Sequence, residues 1–241
     1  MRIVHLILTR RFAGSERYAV ELANAQAHAG HQVTMLLRRA ATENRPDAIA
    51  HRLDPRVAVE TVGHLFTVTQ ARRIVRRLRP DVAHAHLNRG CMALHGLRGE
   101  CLRVSTLHIE YKPRRHADLD ALIAIAPWQL DAIPEPLRSH TVQIDNWTQA
   151  LSAAPDARER IRRETGIAAG AFVFGALGRV EHGKGLDVLV EAWQRAGLPP
   201  DARLIVAGQG EAFDAVRKQA PAGVVMPGFV AAPQEWLAAF E

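Results

Sequence analysis

The chain has 241 residues, of which 48% are hydrophobic and 23% charged. This composition suffices for one or two packed domains and excludes a disordered or low-complexity protein. No apolar run approaches the roughly 20 residues that a membrane-spanning helix requires, and the first apolar stretch is too short for a secretory signal. The two cysteines, Cys91 and Cys101, form no C-x-x-C pair and suit a reducing compartment, so we expect a cytoplasmic protein.

Charge is distributed unevenly along the sequence. Residues 1–150 carry 21 Lys and Arg against 14 Asp and Glu, whereas residues 151–241 carry 10 against 11. This asymmetry predicts two domains, 1–150 and 151–241, the first of which faces something anionic. Nucleic acid, phospholipid headgroups and phosphorylated substrates all fit, and so does a basic surface that only keeps the protein in solution.

In residues 1–150, short β-rich apolar runs alternate with helical segments, which predicts a doubly wound parallel sheet of the α/β class. A turn containing Gly14 follows the first strand, and Ser15 is predicted to cap the helix that Gly30 ends. The remaining predicted helix, around Thr69–Leu78, is basic. The predicted strands are Ile3–Leu8, Val33–Leu37, Val57–Val62, Asp81–Ala85, Leu102–Leu107, Ala121–Ala126 and Thr141–Ile144.

The same alternation starts again after residue 150. Asp156 and Glu159 predict a capping box at the start of a helix. The further predicted elements are the strand Ala171–Leu177, the loop Gly178–Gly185 with a helix after it, the strands Leu204–Ala207 and Val224–Met226, and the helix Pro233–Phe240. Some 90 residues are few for an open α/β sheet, so we expect the second domain to be incomplete.

The loop Gly178–Gly185 carries two cations between a strand and a helix. Its spacing, G-x-x-x-x-G-K, matches a P-loop, but Gly185 stands where an NTPase needs the Ser or Thr that ligates Mg²⁺. The alternative is a metal-free diphosphate site, in which Arg179 forks across phosphate oxygens and Lys184 adds a point charge at the helix entry. A solvated surface turn remains a third interpretation.

The segment Gly175–Ala192 resembles the diphosphate-binding loop of the retaining, GT-B-fold nucleotide-sugar glycosyltransferases of family 4. Further segments follow in the order typical of that family: Ala13–Arg17, Glu21–Asn24, Gly30–Thr34, Asp81–His86, Thr106–His108, Ile123–Ala126 and Leu204–Glu211. The resemblance implies two Rossmann-like domains, an acceptor-binding domain (1–150) and a partial nucleotide-sugar-binding domain (151–241). It also implies transfer of a sugar, with retention, to a hydroxyl of a lipid-linked or cell-envelope glycan.

The resemblance further implies roles for individual residues. His108, Arg179 and Lys184 are the implied catalytic residues. The implied donor-binding residues are Gly14, Arg179, Gly183, Lys184, Gly208 and Gly210. The implied acceptor cleft contains Ser15, Glu16 and His86. The family needs no cofactor and no metal to bind the donor, so we expect neither here.

Several alternatives remain open beside this interpretation. His84 and His86 form an H-x-H pair on one face of a strand, which could suggest zinc, but no Asp, Glu or Cys accompanies them at ligand spacing. The turn Gly208-Gln209-Gly210 partly matches a dinucleotide fingerprint, whose last glycine is replaced by Phe213. A P-loop NTPase, a sugar-nucleotide epimerase and a non-catalytic glycan- or lipid-binding module are the rival functions.

Two further expectations concern surfaces and missing parts. Arg72, Arg73, Arg76 and Arg77 form a basic helix face, which predicts either a solvated surface or docking to an anionic membrane; without interleaved aromatic residues, nucleic acid is not expected. The family's pair of glutamates seven residues apart, E-x7-E, finds no counterpart before Glu241. We therefore expect a truncated donor domain and little or no transferase activity from these residues alone.

Overall fold

The structure, a computed structural model, describes residues 1–45, 47–147 and 152–241. The chain separates into two compact units, Met1–Gln149 and Ala150–Glu241. The predicted boundary at residue 150 lies outside the described residues. Each unit contains a parallel sheet with helical connections, so the predicted α/β class is confirmed. Within the part of the chain that the structure describes, no helix is long and apolar enough to cross a membrane.

The sheet of the first unit has seven strands in the order β3-β2-β1-β4-β5-β6-β7, and all neighbours run parallel. They are β1 (Arg2–Ile7), β2 (Gln32–Arg38), β3 (Ala58–Val62), β4 (Val82–His86), β5 (Leu102–Leu107), β6 (Ala121–Ala124) and β7 (Thr141–Gln143). The order reverses between β1 and β4. Open α/β sheets bind ligands outside the carboxyl ends of the strands at such a reversal.

Both faces of this sheet are covered, because successive side chains of a strand point to opposite faces. In β1, Leu6 packs in the apolar cluster that includes α2 and α3, whereas Ile7 packs against α1 on the other face. The helices of the first unit are α1 (Gly14–His28), α2 (Thr67–Leu78), α3 (Leu87–Leu94), α4 (Pro113–His116), α5 (Trp128–Asp131) and α6 (Glu135–Arg138). Single 3-10 turns occupy Arg39–Ala41 and Ala50–Arg52.

The second unit has a three-stranded parallel sheet in the order β10-β9-β8. Its elements are α7 (Ala157–Glu164), β8 (Val173–Leu177), α8 (Leu186–Arg195), β9 (Arg203–Ala207), α9 (Phe213–Gln219), β10 (Val224–Gly228) and α10 (Pro233–Leu237), with a 3-10 turn at His182–Lys184. The repeated strand–loop–helix order matches the first unit. The predicted strands of both units are confirmed, and none of their ends differs from the observed bounds by more than two residues.

Two predicted helix caps were wrong. Helix α1 begins at Gly14, so Ser15 lies inside its first turn, and the carboxylate of Glu16 accepts the backbone N–H of Ala13 at 3.1 Å instead. Asp156 does precede α7, but its side chain makes no capping hydrogen bond. In both helices the sequence contains a suitable capping residue, and the backbone conformation decides whether that residue can reach an N–H.

Candidate active site

The carboxyl edge of the first sheet gathers polar side chains where β1, β4 and β5 end. His108 follows β5 directly and is half-buried, with its backbone N–H donating to the carbonyl of Thr106 at 3.1 Å. Its imidazole Nε2 lies 3.0 Å from Nδ1 of His86, the last residue of β4. The predicted catalytic histidine is thus at the edge where ligands of this fold class bind.

Behind His108 lies a cluster of buried imidazoles. Nε2 of His86 lies 3.1 Å from Nδ1 of His5 in β1, and Nε2 of His5 lies 2.7 Å from Oε1 of Gln26 in α1. His84 packs against His86 with a ring separation of 4.4 Å, and its Nε2 lies 2.8 Å from Oγ1 of Thr106. The parallel register sets His5 beside His84, so all three rings lie on the α1 face of the sheet.

Burial determines the protonation of these imidazoles. It lowers the pKa of His5 and of His108 to about 4. The pKa values of His84 and His86 are lowered well below the usual range, mainly by burial and further by the neighbouring histidines. All four rings are therefore neutral near pH 7, and each carries a single N–H.

Two residues predicted to line the acceptor cleft are not at the surface. His86 is completely buried, so it supports His108 from behind and cannot itself contact an acceptor. Glu16 is 3% exposed, and its Oε2 accepts hydrogen bonds from the Ala13 N–H and from Oγ of Ser15, each at 3.1 Å. Glu16 therefore fixes the start of α1. Gly14, in contrast, is exposed, with open space around its Cα, and its N–H lies at a helix N-terminus that favours anions.

Strand pairing brings together three histidines that are distant in sequence and could be considered as metal ligands. The ring nitrogens of His5, His84 and His86 can all lie within 4.8 Å of one another, so β1 adds a third histidine to the H-x-H pair. Three histidines are a known ligand set for zinc. Here, however, two of these nitrogens already share a hydrogen bond, and a third contacts Thr106. The absence of a metal stays a prediction.

Two aromatic residues next to His108 were not identified from the sequence. The ring of Tyr18, from α1, lies edge-on to His108 with centroids 5.0 Å apart. Trp147 packs against Tyr18 with ring centroids 4.1 Å apart and planes tilted by 42°, and it is 37% exposed. Aromatic residues at helical spacing usually indicate core packing, so no local sequence signal distinguished them.

A second feature missed from the sequence is a group of unpaired arginines at the same edge. Arg38 ends β2 and is only 8% exposed. Burial lowers the pKa of Arg38, and the nearby positive charges of Arg10, after β1, and Arg89, after β4, lower it further. Across the described residues, none of these three guanidinium groups forms an ion pair with a carboxylate. A buried cation without a counter-ion favours binding of an anion.

In the second unit, the loop Gly178–Gly185 joins β8 to α8, as predicted. Lys184 is exposed, and it precedes Gly185, whose φ of 65° starts the helix from the left-handed region. Arg179 is exposed but not free, because its Nη1 donates to Oε1 of Glu181 at 2.7 Å. Any phosphate that Arg179 binds must therefore compete with Glu181, an interaction that the sequence interpretation left out.

The packing of two loops explains why glycine is required at positions 208 and 210. A Cβ at Gly208 would overlap the carbonyl oxygen of Gly178, and one at Gly210 would overlap that of Val180. The two loops are also hydrogen-bonded, since the N–H of Val180 donates to the carbonyl of Gln209 at 3.2 Å. These glycines let the loop after β9 lie against the loop after β8, so they shape the candidate diphosphate site whether or not they contact its ligand.

The basic face of α2 is largely engaged within the protein. Nη2 of Arg72 donates to the carbonyl of Met92 at 2.9 Å, Arg76 pairs with Glu100 at 2.9 Å, and Arg77 pairs with Glu60 at 2.7 Å. Arg73 is exposed and has no such partner among the described residues. Of the four arginines predicted to form a basic face, three are therefore bound to groups of the protein itself.

A cavity of about 860 Å³ in the first unit lies away from His108. It is lined by residues at the amino ends of β1, β4 and β5, among them Arg2, Asp81 and Leu102. This is the opposite edge of the sheet from the one where parallel α/β sheets bind ligands. We therefore do not assign it to the candidate site.

Comparisons with solved structures give the same fold. HepE of Anabaena, in complex with UDP and glucose, matches with a TM-score of 0.80 at 18% identity, over 100% of this chain and 72% of that one. A glycosyltransferase of Rickettsia africae matches with a TM-score of 0.76 at 12% identity, over 100% of this chain and 71% of that one. Sucrose-phosphate synthase of Thermosynechococcus elongatus matches with a TM-score of 0.73 at 15% identity, over 99% of this chain and 73% of that one. Comparison with curated protein sequences gives no match.

The family comparisons divide the chain close to its two units. Residues 171–241 match the family model described as glycosyl transferases group 1. Residues 12–169, well over half of the chain, match the model for Glycosyltransferase Family 4. The loop Gly178–Gly185 lies in the segment 171–241, and His108 lies in the segment 12–169. The protein belongs to Glycosyltransferase Family 4.

Proposed function

We propose that this glycosyltransferase moves a sugar from a nucleoside diphosphate sugar to a hydroxyl acceptor, with retention of the anomeric configuration. The observation that carries the proposal is the loop Gly178–Gly185, which places Arg179 and Lys184 at the carboxyl end of β8, at the entry to α8. HepE of Anabaena, which has the same fold, binds UDP-glucose.

The chemistry follows from where charge develops. When the bond between the anomeric carbon and the diphosphate breaks, negative charge grows on the oxygen that bridged them. Fixed cations at that oxygen stabilise the transition state more than the ground state. In this proposal Arg179 and Lys184 supply those cations, and the N–H groups at Gly183 and the start of α8 add partial positive charge.

The proposal is tested by titrating UDP, GDP and ADP into the protein by calorimetry. We expect one nucleotide to bind, and Lys184→Ala to weaken its binding about tenfold, which corresponds to about 1.4 kcal/mol for one charge-assisted contact. Lys218→Ala is the matched control, because Lys218 is an exposed lysine on α9. Equal binding by both variants would refute a diphosphate site at this loop.

For the acceptor, we propose a molecule that carries phosphate, as a lipid-linked cell-envelope glycan does. Its support is the charge at the carboxyl edge of the first sheet, where Arg10, Arg38 and Arg89 lie without carboxylate partners in the part of the chain that the structure describes. Arg38→Gln should weaken binding of inorganic pyrophosphate to the first unit, whereas the neighbouring exposed Arg39→Gln should not. If both variants bind pyrophosphate as the wild type does, these arginines do not form an anion site.

A further inference from the structure

A continuous line of hydrogen-bonding groups connects helix α1 to His108. It runs from Oε1 of Gln26 to Nε2 of His5 at 2.7 Å, from Nδ1 of His5 to Nε2 of His86 at 3.1 Å, and from Nδ1 of His86 to Nε2 of His108 at 3.0 Å. His5 and His86 are completely buried, so water does not satisfy their nitrogens. Each of the two rings uses both of its nitrogens inside this line.

The line has a single direction, which the side chain at its α1 end determines. A neutral imidazole has one nitrogen that donates and one that accepts. The amide oxygen of Gln26 can only accept, so Nε2 of His5 carries the proton and its Nδ1 accepts. The same reasoning puts the proton of His86 on Nε2, and Nδ1 of His86 then accepts from Nε2–H of His108.

We propose that Gln26, His5 and His86 are positioning residues that hold His108 in the tautomer with its proton on Nε2 and its Nδ1 free to accept a hydrogen bond from a sugar hydroxyl. The proposal rests on the proposed function for the role of His108. No partner for Nδ1 of His108 is found among the described residues. A ring held in one tautomer and one orientation loses less entropy when it binds a hydroxyl.

His84 provides an internal comparison. It is as buried as His86, lies on the same strand and the same face, and contacts it with rings 4.4 Å apart. The hydrogen bond of its Nε2 goes to Oγ1 of Thr106, however, and among the described residues no hydrogen bond joins His84 to the line from Gln26 to His108. Replacing His84 therefore disturbs the packing of the cluster without cutting the line.

The test is nitrogen NMR of the full chain labelled with ¹⁵N-histidine, at neutral pH, where the separation of the two ring-nitrogen shifts reports the tautomer. In the wild type we expect His108 to show a protonated Nε2 and an unprotonated Nδ1. In His86→Phe these two shifts should move toward the averaged positions of a mixed tautomer. In His84→Phe, the matched control, they should stay separate.

His86→Gln keeps the proposal testable if the Phe variant does not fold, because a glutamine amide can donate toward His5 and accept from His108. In that variant we expect the wild-type shifts of His108 to persist. A proton on Nδ1 in the wild type, a mixed tautomer in the wild type, or equal shifts in His84→Phe and His86→Phe would each overturn the proposal.

Calorimetry with the nucleotide separates this proposal from the proposed function. His86→Phe should leave nucleotide binding unchanged, because Arg179 and Lys184 lie in the other unit. A wild type that binds no nucleotide but shows the expected His108 tautomer would refute the donor site and support the hydrogen-bonded line. Normal nucleotide binding with a mixed His108 tautomer would support the donor site and refute the proposed role of the hydrogen-bonded line.

Discussion

At the scale of single residues, the pair formed by Arg179 and Glu181 is where the candidate donor site can be adjusted. Their 2.7 Å contact is exposed, and exposed ion pairs contribute little stability, about 0–1 kcal/mol. The carboxylate of Glu181 nevertheless holds the guanidinium that we propose binds the diphosphate, and its negative charge would repel that ligand. At the proposed donor site we therefore expect Glu181 to oppose binding.

We expect Glu181→Gln to tighten binding of the nucleoside diphosphate a few-fold, measured by calorimetry at fixed ionic strength. Glu191→Gln is the control, since Glu191 is an exposed acid on α8 that pairs with Arg195. The prediction is contradicted if Glu181→Gln weakens binding, which would show that Glu181 orients Arg179 toward the ligand.

At the scale of elements, the loop after β8 depends on the loop after β9. Gly208→Ala would bring a Cβ into the carbonyl of Gly178 at a φ of 151°, which L residues rarely adopt. We expect the second unit to lose about 1–3 kcal/mol of unfolding free energy, with weaker nucleotide binding, in urea denaturation and calorimetry. Gly170→Ala should be nearly neutral in both measurements, because its Cβ would meet open space.

Helix α2 gives a prediction on membrane contact. If the basic face of α2 docks to an anionic surface, its free cation matters more than its paired ones. Arg73→Glu should therefore reduce sedimentation with anionic vesicles more than Arg77→Glu, whose arginine is already paired with Glu60. Equal binding of both variants and of the wild type would exclude α2 as the docking surface.

The elements also show how far the sequence leads. Strands and helices follow from apolar periodicity, so β5 was predicted at its observed bounds and the loop Gly178–Gly185 at its observed place. The histidine cluster could not be derived in this way, because His5 meets His84 only through the pairing of β1 with β4, and strand order is a tertiary property. The burial of His86 in β4 has the same origin.

At the scale of the whole molecule, titration should affect the two units differently. The histidines with lowered pKa values all lie in the first unit, namely His5, His84, His86, His108 and His116. Burial is the main cause for each, and His116 also reaches about 4. Residues 151–241 contain a single histidine, His182. The first unit therefore couples folding to histidine protonation.

The sign of this coupling follows from which state binds more protons. Between pH 6.5, the usual histidine value, and about 4, the unfolded chain protonates imidazoles that the folded first unit keeps neutral. The contribution of these neutral histidines to the unfolding free energy of the first unit is therefore fully present above pH 6.5. It falls as pH drops toward 4, by up to about 1.4 kcal/mol per pH unit for each such histidine.

Urea unfolding at several pH values checks this with two variants, each of which keeps the tryptophans of one unit and has Phe in place of the others. The variant that keeps Trp128 and Trp147 reports the first unit, and the one that keeps Trp193 and Trp236 reports the second. We expect the urea midpoint of the first to fall steeply from pH 6.5 to 4.5 while that of the second changes little. Midpoints that fall together would show instead that the two units unfold as one.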